Sequence, residues 1–175
     1  VQGEVFDYPE EFFKERIHTI RRPKPDDFQI KEAAELIKKS KKPIIIAGGG
    51  VFYSDATDEL SSFASKHNIP VTQTVMGYSS LKKDHSHYLG TIGGLGGKAA
   101  NNLSKETDTA IAVGTKLADF TTGSWANFEN PDFKLVSINA ARFDANKHMA
   151  QAVVGDAKVS LIELSQALGN WKADD

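Results

Sequence analysis

Short continuous apolar runs alternate along the chain with longer stretches whose apolar positions recur three and four residues apart. Ile30, Ala33, Ala34 and Ile37 stand at i, i+3, i+4 and i+7 behind Asp26 and Asp27, which predicts a capped amphipathic helix over residues 28–40. Pro43 stops that helix and opens Ile44, Ile45, Ile46 and Ala47, a run that predicts a parallel strand buried on both faces. Leu60, Phe63, Ala64 and His67 mark the next helix, capped by Ser54 or Asp55 and ended at Asn68 before Pro70. Further strands are expected at 71–75, 109–113, 134–138 and 152–154, and further helices at about 97–105 and 157–168. Residues 76–97, broken by glycines, read as one long loop.

This alternation specifies the α/β class: a doubly wound parallel sheet of five to six strands, Rossmann-like, with right-handed crossovers. Residues 28–170 read as one domain. Residues 1–27, with Pro9, Pro23 and Pro25, read as a linker-like leading segment, and 171–175 as a tail. In a sheet ordered 2-1-3-4-5 the winding reverses between strands 1 and 3, and ligands bind beyond the carboxyl ends of those two strands. Gly48, Gly49 and Gly50 stand at one of these ends, Gly114 and Thr115 at the other. Two readings of the glycines stay open: they let backbone N–H groups approach a pyrophosphate, or they only turn the chain tightly.

Composition narrows the function classes. The chain has 175 residues, enough for one domain with a real core, and 21 Lys+Arg against 23 Asp+Glu give a net charge of -2. That balance points to no nucleic-acid partner and no anionic membrane surface. With no cysteine, disulfides, thiolate metal sites and thiol nucleophiles are excluded, and the composition suits a cytoplasmic protein. No apolar run approaches the ~18 residues of a membrane span. The chain starts at Val1 without Met, as a piece of a longer protein would, and Phe6, Phe12, Phe13 and Trp171 are expected to dock onto other domains.

Motif scans yield little chemistry. Gly48, Gly50 and Tyr53 match only part of the dinucleotide fingerprint, and Gly94, Gly96 and Ala99 match it without a strand before them. Gly97-Lys98-Ala99 lacks the Ser or Thr of a phosphate loop. His85 and His87 lack a third metal ligand nearby, and Ser124 lacks the nucleophile elbow. Arg21, Arg22 and Lys24 read as a solvated basic face. Neither catalytic nor metal-ligating residues are assigned.

The segments PIIIAGGGVFYSDA (43–56), NIPVTQT, GTIGGLGG, DTAIAVGTKLADFTTGS, KLVSINAARFDA and AVVGDAKVSL, in that order and spacing, resemble the central domain of thiamine-diphosphate-dependent enzymes, the family of acetolactate synthase and pyruvate oxidase. VFDYPEEFF, IHTIRRPKPDDFQIKEAAELIKKSKKP and DFTTGS are most similar to its inositol-catabolism hydrolases. The resemblance implies the middle part of a cytoplasmic, dimeric or tetrameric enzyme whose flanking N- and C-terminal domains hold thiamine diphosphate and Mg²⁺. Gly155-Asp156-Ala157 departs from the GDG motif that holds the diphosphate in the family's last domain. The implied reaction is attack of the thiamine C2 carbanion on one carbonyl of trihydroxycyclohexane-1,2-dione, C–C cleavage that opens the ring, and release of the acyl group to water as 5-deoxy-glucuronate, the cofactor supplying the carbanion chemistry.

Some relatives hold FAD or another adenine nucleotide in this domain, so FAD, NAD and ADP are the candidate ligands here. Carried over by motif, Gly48, Gly49 and Gly50 approach the pyrophosphate, Gly93, Gly94 and Gly96 cover the ligand, and Gly114 and Thr115 line the opposite strand end. Asn139, standing where flavin-binding relatives carry an Asp-rich pattern, and Asp156 complete the set.

Overall fold

The computed structural model describes residues 3–174, so Val1 and Gln2 of the leading segment and Asp175 of the tail lie outside the described residues. Pro43–Ala47 (β1), Val71–Gln73 (β2), Tyr88–Thr91 (β3), Thr109–Val113 (β4), Lys134–Asn139 (β5) and Gln151–Val154 (β6) form one sheet. Every pairing is parallel and the order is β3-β2-β1-β4-β5-β6. The doubly wound fold is therefore as expected, with the winding reversed between β1 and β4.

All five residues of β1 and all five of β4 are buried, because helices cover both faces of the sheet centre. Ile45, Ala47, Ile111 and Val113 face one core, built with Asp27–Lys38 (α1), Thr57–His67 (α3) and Ala157–Leu168 (α7). Ile44, Ile46, Ala110 and Ala112 face a second, covered by Leu103 of Lys98–Glu106 (α4) and by Trp125, Phe128 and Phe133. Each fully buried Ile or Leu contributes about 1.5–3 kcal/mol, so these alternating strand residues are the main stabilising set. Gly50–Tyr53 (α2), Asp119–Thr122 (α5) and Arg142–Ala145 (α6) are single turns beyond the carboxyl ends of β1, β4 and β5.

α1 forms where the spacing expects it: Ile30, Ala33, Ala34 and Ile37 are buried, and the Asp26 carboxylate accepts from the Phe28 N–H at 2.9 Å. Neither Ser54 nor Asp55 caps α3. Ser54 ends α2, Asp55 takes a left-handed φ of 53°, and Ala56 precedes α3 without a side-chain cap. β2 is shorter than expected, because Thr74 leaves the sheet and its Oγ1 accepts from Gly77 N–H at 3.0 Å, closing a 3₁₀ turn. β3 lies inside the stretch expected to be loop. As an edge strand it is only half buried, and Gly90 at φ 92° sits where its register slips, so it lacks the apolar signature of the centre.

Residues 3–24 are exposed, and Pro25 is the first buried position. Phe6, Phe12 and Phe13 are among the most exposed large apolar residues. Trp171 is half buried: it packs on the first core beside His67, and its carbonyl accepts from His67 Nδ1 at 2.7 Å. Among the described residues no helix is long and apolar enough to cross a membrane.

Candidate functional site

Beyond the carboxyl ends of β1, β4, β5 and β6 lies a crevice of about 230 Å³, lined by Ile20, Arg21, Gly50, Gly114, Asn139 and Asp156 among others. The reversal of winding leaves this gap, since the connections from β1 and β4 leave on opposite faces. Of the ten site residues singled out by sequence, four line it: Gly50, Gly114, Asn139 and Asp156.

Glycine is required here by close approach of two backbones. A Cβ on Gly50 would lie 2.5 Å from Gly114 Cα, and Gly114 itself has φ 61°. Gly48 N–H donates to Val113 O at 2.8 Å and Gly50 N–H to Gly114 O at 2.9 Å. The two strand ends satisfy each other, so these N–H groups point into the fold and away from any pyrophosphate. Gly49 lies outside this joint, beside Met76 and the Tyr53 ring.

Asn139 and Thr115 also work locally. Asn139 Nδ2 donates to Thr115 O at 3.3 Å, while its Oδ1 accepts from Ala141 N–H at 2.9 Å, bracing the end of β5 against that of β4. Thr115 Oγ1 accepts from Leu117 N–H at 3.2 Å. Asp156 caps α7, accepting from Lys158 N–H at 3.1 Å and Val159 N–H at 3.3 Å.

The leading segment closes one side of the crevice. Arg22 donates to the Ser54 carbonyl and pairs with the Asp156 carboxylate at 3.2 Å, and Asp156 N–H donates to Pro23 O at 2.8 Å. The Asp156 side chain is 6% exposed against 36% for Arg22, so a buried anion meets a cation that stays partly in solvent. Arg22 is accordingly no freely solvated cation, and Lys24 pairs with Glu163 at 3.4 Å and Asp27 at 3.5 Å. Arg22 is the residue that sequence reasoning missed: nothing in the local RRPKP run announces a partner 134 positions away.

Gly93, Gly94 and Gly96 do not line this crevice. Gly93 N–H donates to Asn101 Oδ1 at 2.9 Å, Asn101 Nδ2 returns a bond to Gly93 O at 3.1 Å, and Gly94 N–H donates to Phe120 O at 2.9 Å. The loop is fastened to α4 and α5 on the second face. His85 and His87 bond to Ser65 at 3.1 Å and to Asn68 at 3.0 Å, and burial pushes the His87 imidazole pKa down, with His85 adding to the effect. Among the described residues no group of three or more His, Cys, Asp or Glu is placed to hold a metal ion.

Neither cofactor class fits this donor set well. The one acidic residue of the crevice, Asp156, is committed to a helix cap and to Arg22, which leaves it no free geometry for a Mg²⁺–diphosphate. For a dinucleotide, two glycine N–H groups are already used, and about 230 Å³ is below the ~300–1,000 Å³ of ordinary ligand pockets.

The family model of the thiamine pyrophosphate enzyme central domain matches residues 30–164. Among curated proteins, the chain is 46% identical over 168 residues to a 3D-(3,5/4)-trihydroxycyclohexane-1,2-dione hydrolase of Clostridium perfringens (strain 13) and 48% identical over the same length to one of Clostridium botulinum (strain Alaska E43). Each match covers 96% of this chain and 26% of the relative, so the chain spans about a quarter of their length. An X-ray structure assigned to a thiamin diphosphate-dependent enzyme of Mycobacterium smegmatis superposes with a TM-score of 0.70 at 21% identity, covering 91% of this chain and 31% of that one. That likeness bears on the fold alone.

Proposed function

The chain belongs to the thiamine pyrophosphate enzyme central-domain family, and from that premise we propose that it is the non-catalytic central domain of a hydrolase that opens trihydroxycyclohexane-1,2-dione to 5-deoxy-glucuronate in inositol breakdown. The observation that carries this reading is the 46–48% identity, sustained over 96% of the chain, to relatives bearing that enzyme name. Thiamine diphosphate and Mg²⁺ are then held by the rest of a cytoplasmic homo-oligomeric enzyme, and this domain supplies structure. The Gly48–Gly50 and Gly114 joint, with Thr115, Asn139 and Asp156, serves as packing at a crevice of nucleotide type, and the Gly93–Gly96 loop as a brace between α4 and α5. The amides used between strands and the Arg22 closure support packing over ligand occupancy.

Assay of the full-length enzyme on the dione, with and without thiamine diphosphate, tests the assignment. Cofactor-dependent ring opening is expected there, with none from the 175-residue chain. Turnover by the chain alone, or acetolactate formation in place of ring opening, overturns it. Calorimetric titration of the chain with FAD, NAD and ADP addresses the crevice: saturable heat at micromolar ligand would replace the packing role with an adenine-nucleotide module.

A further inference from the structure

Residues 169–174 leave α7 and run back across the end of α3. Gly169 turns the chain at φ 64°, Trp171 packs on the first core, and Ala173 is buried within it. Two hydrogen-bonded relays end on carbonyls of this segment. In the first, Lys66 Nζ donates to Ser165 Oγ at 3.2 Å, Ser165 Oγ meets His67 Nε2 at 3.0 Å, and His67 Nδ1 meets Trp171 O at 2.7 Å. In the second, Ser86 Oγ meets His87 Nδ1 at 3.0 Å, His87 Nε2 meets Asn68 Oδ1 at 3.0 Å, and Asn68 Nδ2 donates to Ala173 O at 3.2 Å. Ala173 N–H completes the attachment by donating to His67 O at 2.9 Å.

The ends of the relays fix where the protons sit. A carbonyl oxygen only accepts, so His67 carries its hydrogen on Nδ1 and His87 on Nε2, and each serine hydroxyl donates to the ring nitrogen that remains. Each relay therefore runs in one direction through one neutral imidazole. A second proton on His67 would enter at Nε2 and reverse the Ser165 bond. Ser165 Oγ would then lie between two cations, imidazolium and the Lys66 ammonium, and His67 is fully buried, with no water to share the charge. Lys172 is the other charge that acts on His67, and among the described residues neither histidine pairs with a carboxylate. Around His87 stand the His85 ring, 5.5 Å away, and the walls of a cavity of about 550 Å³ that carry Lys41, Asp174 and the Lys42–Glu106 pair. Burial pushes both imidazole pKa values down; the Trp171 bond opposes this at His67 while Lys66 and Lys172 reinforce it, and His85 reinforces it at His87.

We propose that residues 170–174 form a strap, tied down by these two relays and released when His67 takes up a proton: a conformational switch at the end of the domain opposite the glycine crevice. It operates independently of the reaction assigned above. The neutral imidazole holds the strap fully above about 6.5, the value of a free histidine, and the hold weakens as pH falls below that. The His87 relay orients the Asn68 amide and serves as the second tie. Release uncovers the first core at Trp171 and Ala173, and it removes Ala173 and Asp174 from the wall of the cavity beside His87.

Amide hydrogen exchange of the full-length enzyme, read by peptide mass spectrometry and corrected for the intrinsic effect of pH on exchange, tests the strap. At pH 7.5 the amides of residues 171–174 are expected to be protected, but less than those of β1 and β4, because the strap opens without unfolding the sheet. Between pH 7.5 and pH 5.5 their protection is expected to fall at least about threefold, where one histidine can supply about tenfold. Protection that does not change with pH overturns the switch. Protection equal to that of β4 at both pH values overturns the strap, since the segment would then open only with the whole domain. His67→Gln keeps a donor for Trp171 O and cannot titrate, so the response to pH is expected to shrink at least twofold; an undiminished response overturns the role of His67. Asn68→Gly preserves the left-handed φ of 52° and cuts the second tie, and it keeps the test decisive where His67→Gln does not fold. Lower protection at pH 7.5 with the response to pH retained is expected there. Loss of that response would place the trigger at His87 and overturn His67 as the group that releases the strap.

Discussion

The carboxyl and amino edges of this sheet are held together by different physics. At the carboxyl edge, backbone meets backbone: Gly50 against Gly114, with Gly77 fitted beneath the Ala47 carbonyl. At the amino edge, side chains answer backbone groups. Asp108 accepts from Ser40 Oγ, from Lys41 N–H at 2.7 Å and from Lys42 N–H at 3.2 Å, and Thr107 Oγ1 bridges the carbonyls of Lys42 and Thr109. At the carboxyl edge the side chains of Asn139 and Thr74 only add to this backbone joint, and Tyr53, Met76 and Phe120 face outward. An edge fixed by charged and polar groups responds to pH.

The sharpest way to break this contrast is to add a Cβ where the backbones touch. Gly114→Val places a branched side chain at φ 61° and 2.5 Å from Gly50 Cα, so a loss of about 4 kcal/mol or outright failure to fold is expected. Urea unfolding measures it, and a loss below about 1 kcal/mol would show that the joint yields easily. Asp108→Ala is the amino-edge counterpart. It removes three acceptor contacts at one carboxylate, each worth about 0.5–1.5 kcal/mol, and a loss of about 2 kcal/mol is expected at neutral pH.

Acid should sharpen the difference further. Burial raises the Asp108 carboxyl pKa, but the hydrogen bonds from Ser40, Lys41 and Lys42 outweigh it and hold the group below the usual carboxylate range. Its stabilising contribution is therefore complete above the unfolded value of about 3.9 and is lost as pH falls through the folded value. His67, also at the amino edge, donates through Nδ1 to Trp171 O, which leaves Nε2 to accept from Ser165 Oγ at 3.0 Å. Burial pushes its pKa down, the Trp171 bond opposes this, and Lys66 and Lys172 reinforce it. A neutral imidazole stabilises fully above about 6.5, and stability drains away as pH falls below that. Thermal unfolding at pH 7.5 and pH 5 is expected to show this loss, and His67→Gln to reduce it. His87 shifts in the same direction, so the slope should flatten without vanishing.

Legibility from sequence divides along similar lines. β1 and β4 were readable because burial on both faces demands unbroken apolar runs, and α1 because one buried face imposes its spacing. β3 was not, since an edge strand of Tyr, Leu, Gly and Thr carries neither a continuous run nor a clean alternation. The topology rule located the meeting of the Gly48–Gly50 and Gly114 strand ends. What the sequence could not convey was that the glycines approach each other, or that Arg22 reaches Asp156, because both are contacts between distant positions. The Gly93–Gly96 loop looked equally suited to a ligand, yet its partners, Asn101 and Phe120, come from α4 and α5.

The smallest expected effect asks whether the carboxyl edge is intolerant throughout or only at its joint. Gly97 belongs to the same edge, yet a Cβ there would meet nothing within 4 Å, and its φ of -75° and ψ of 155° suit any L-residue. It precedes α4 with no side-chain cap. Gly97→Asp would supply an oxygen to the free N–H groups of the first turn and a negative charge at the positive end of the helix, for a gain of about 0.5–1 kcal/mol. A rise in the urea midpoint with an unchanged slope is the expected result. A loss instead would mean that the whole edge, and not only the Gly50–Gly114 contact, excludes side chains.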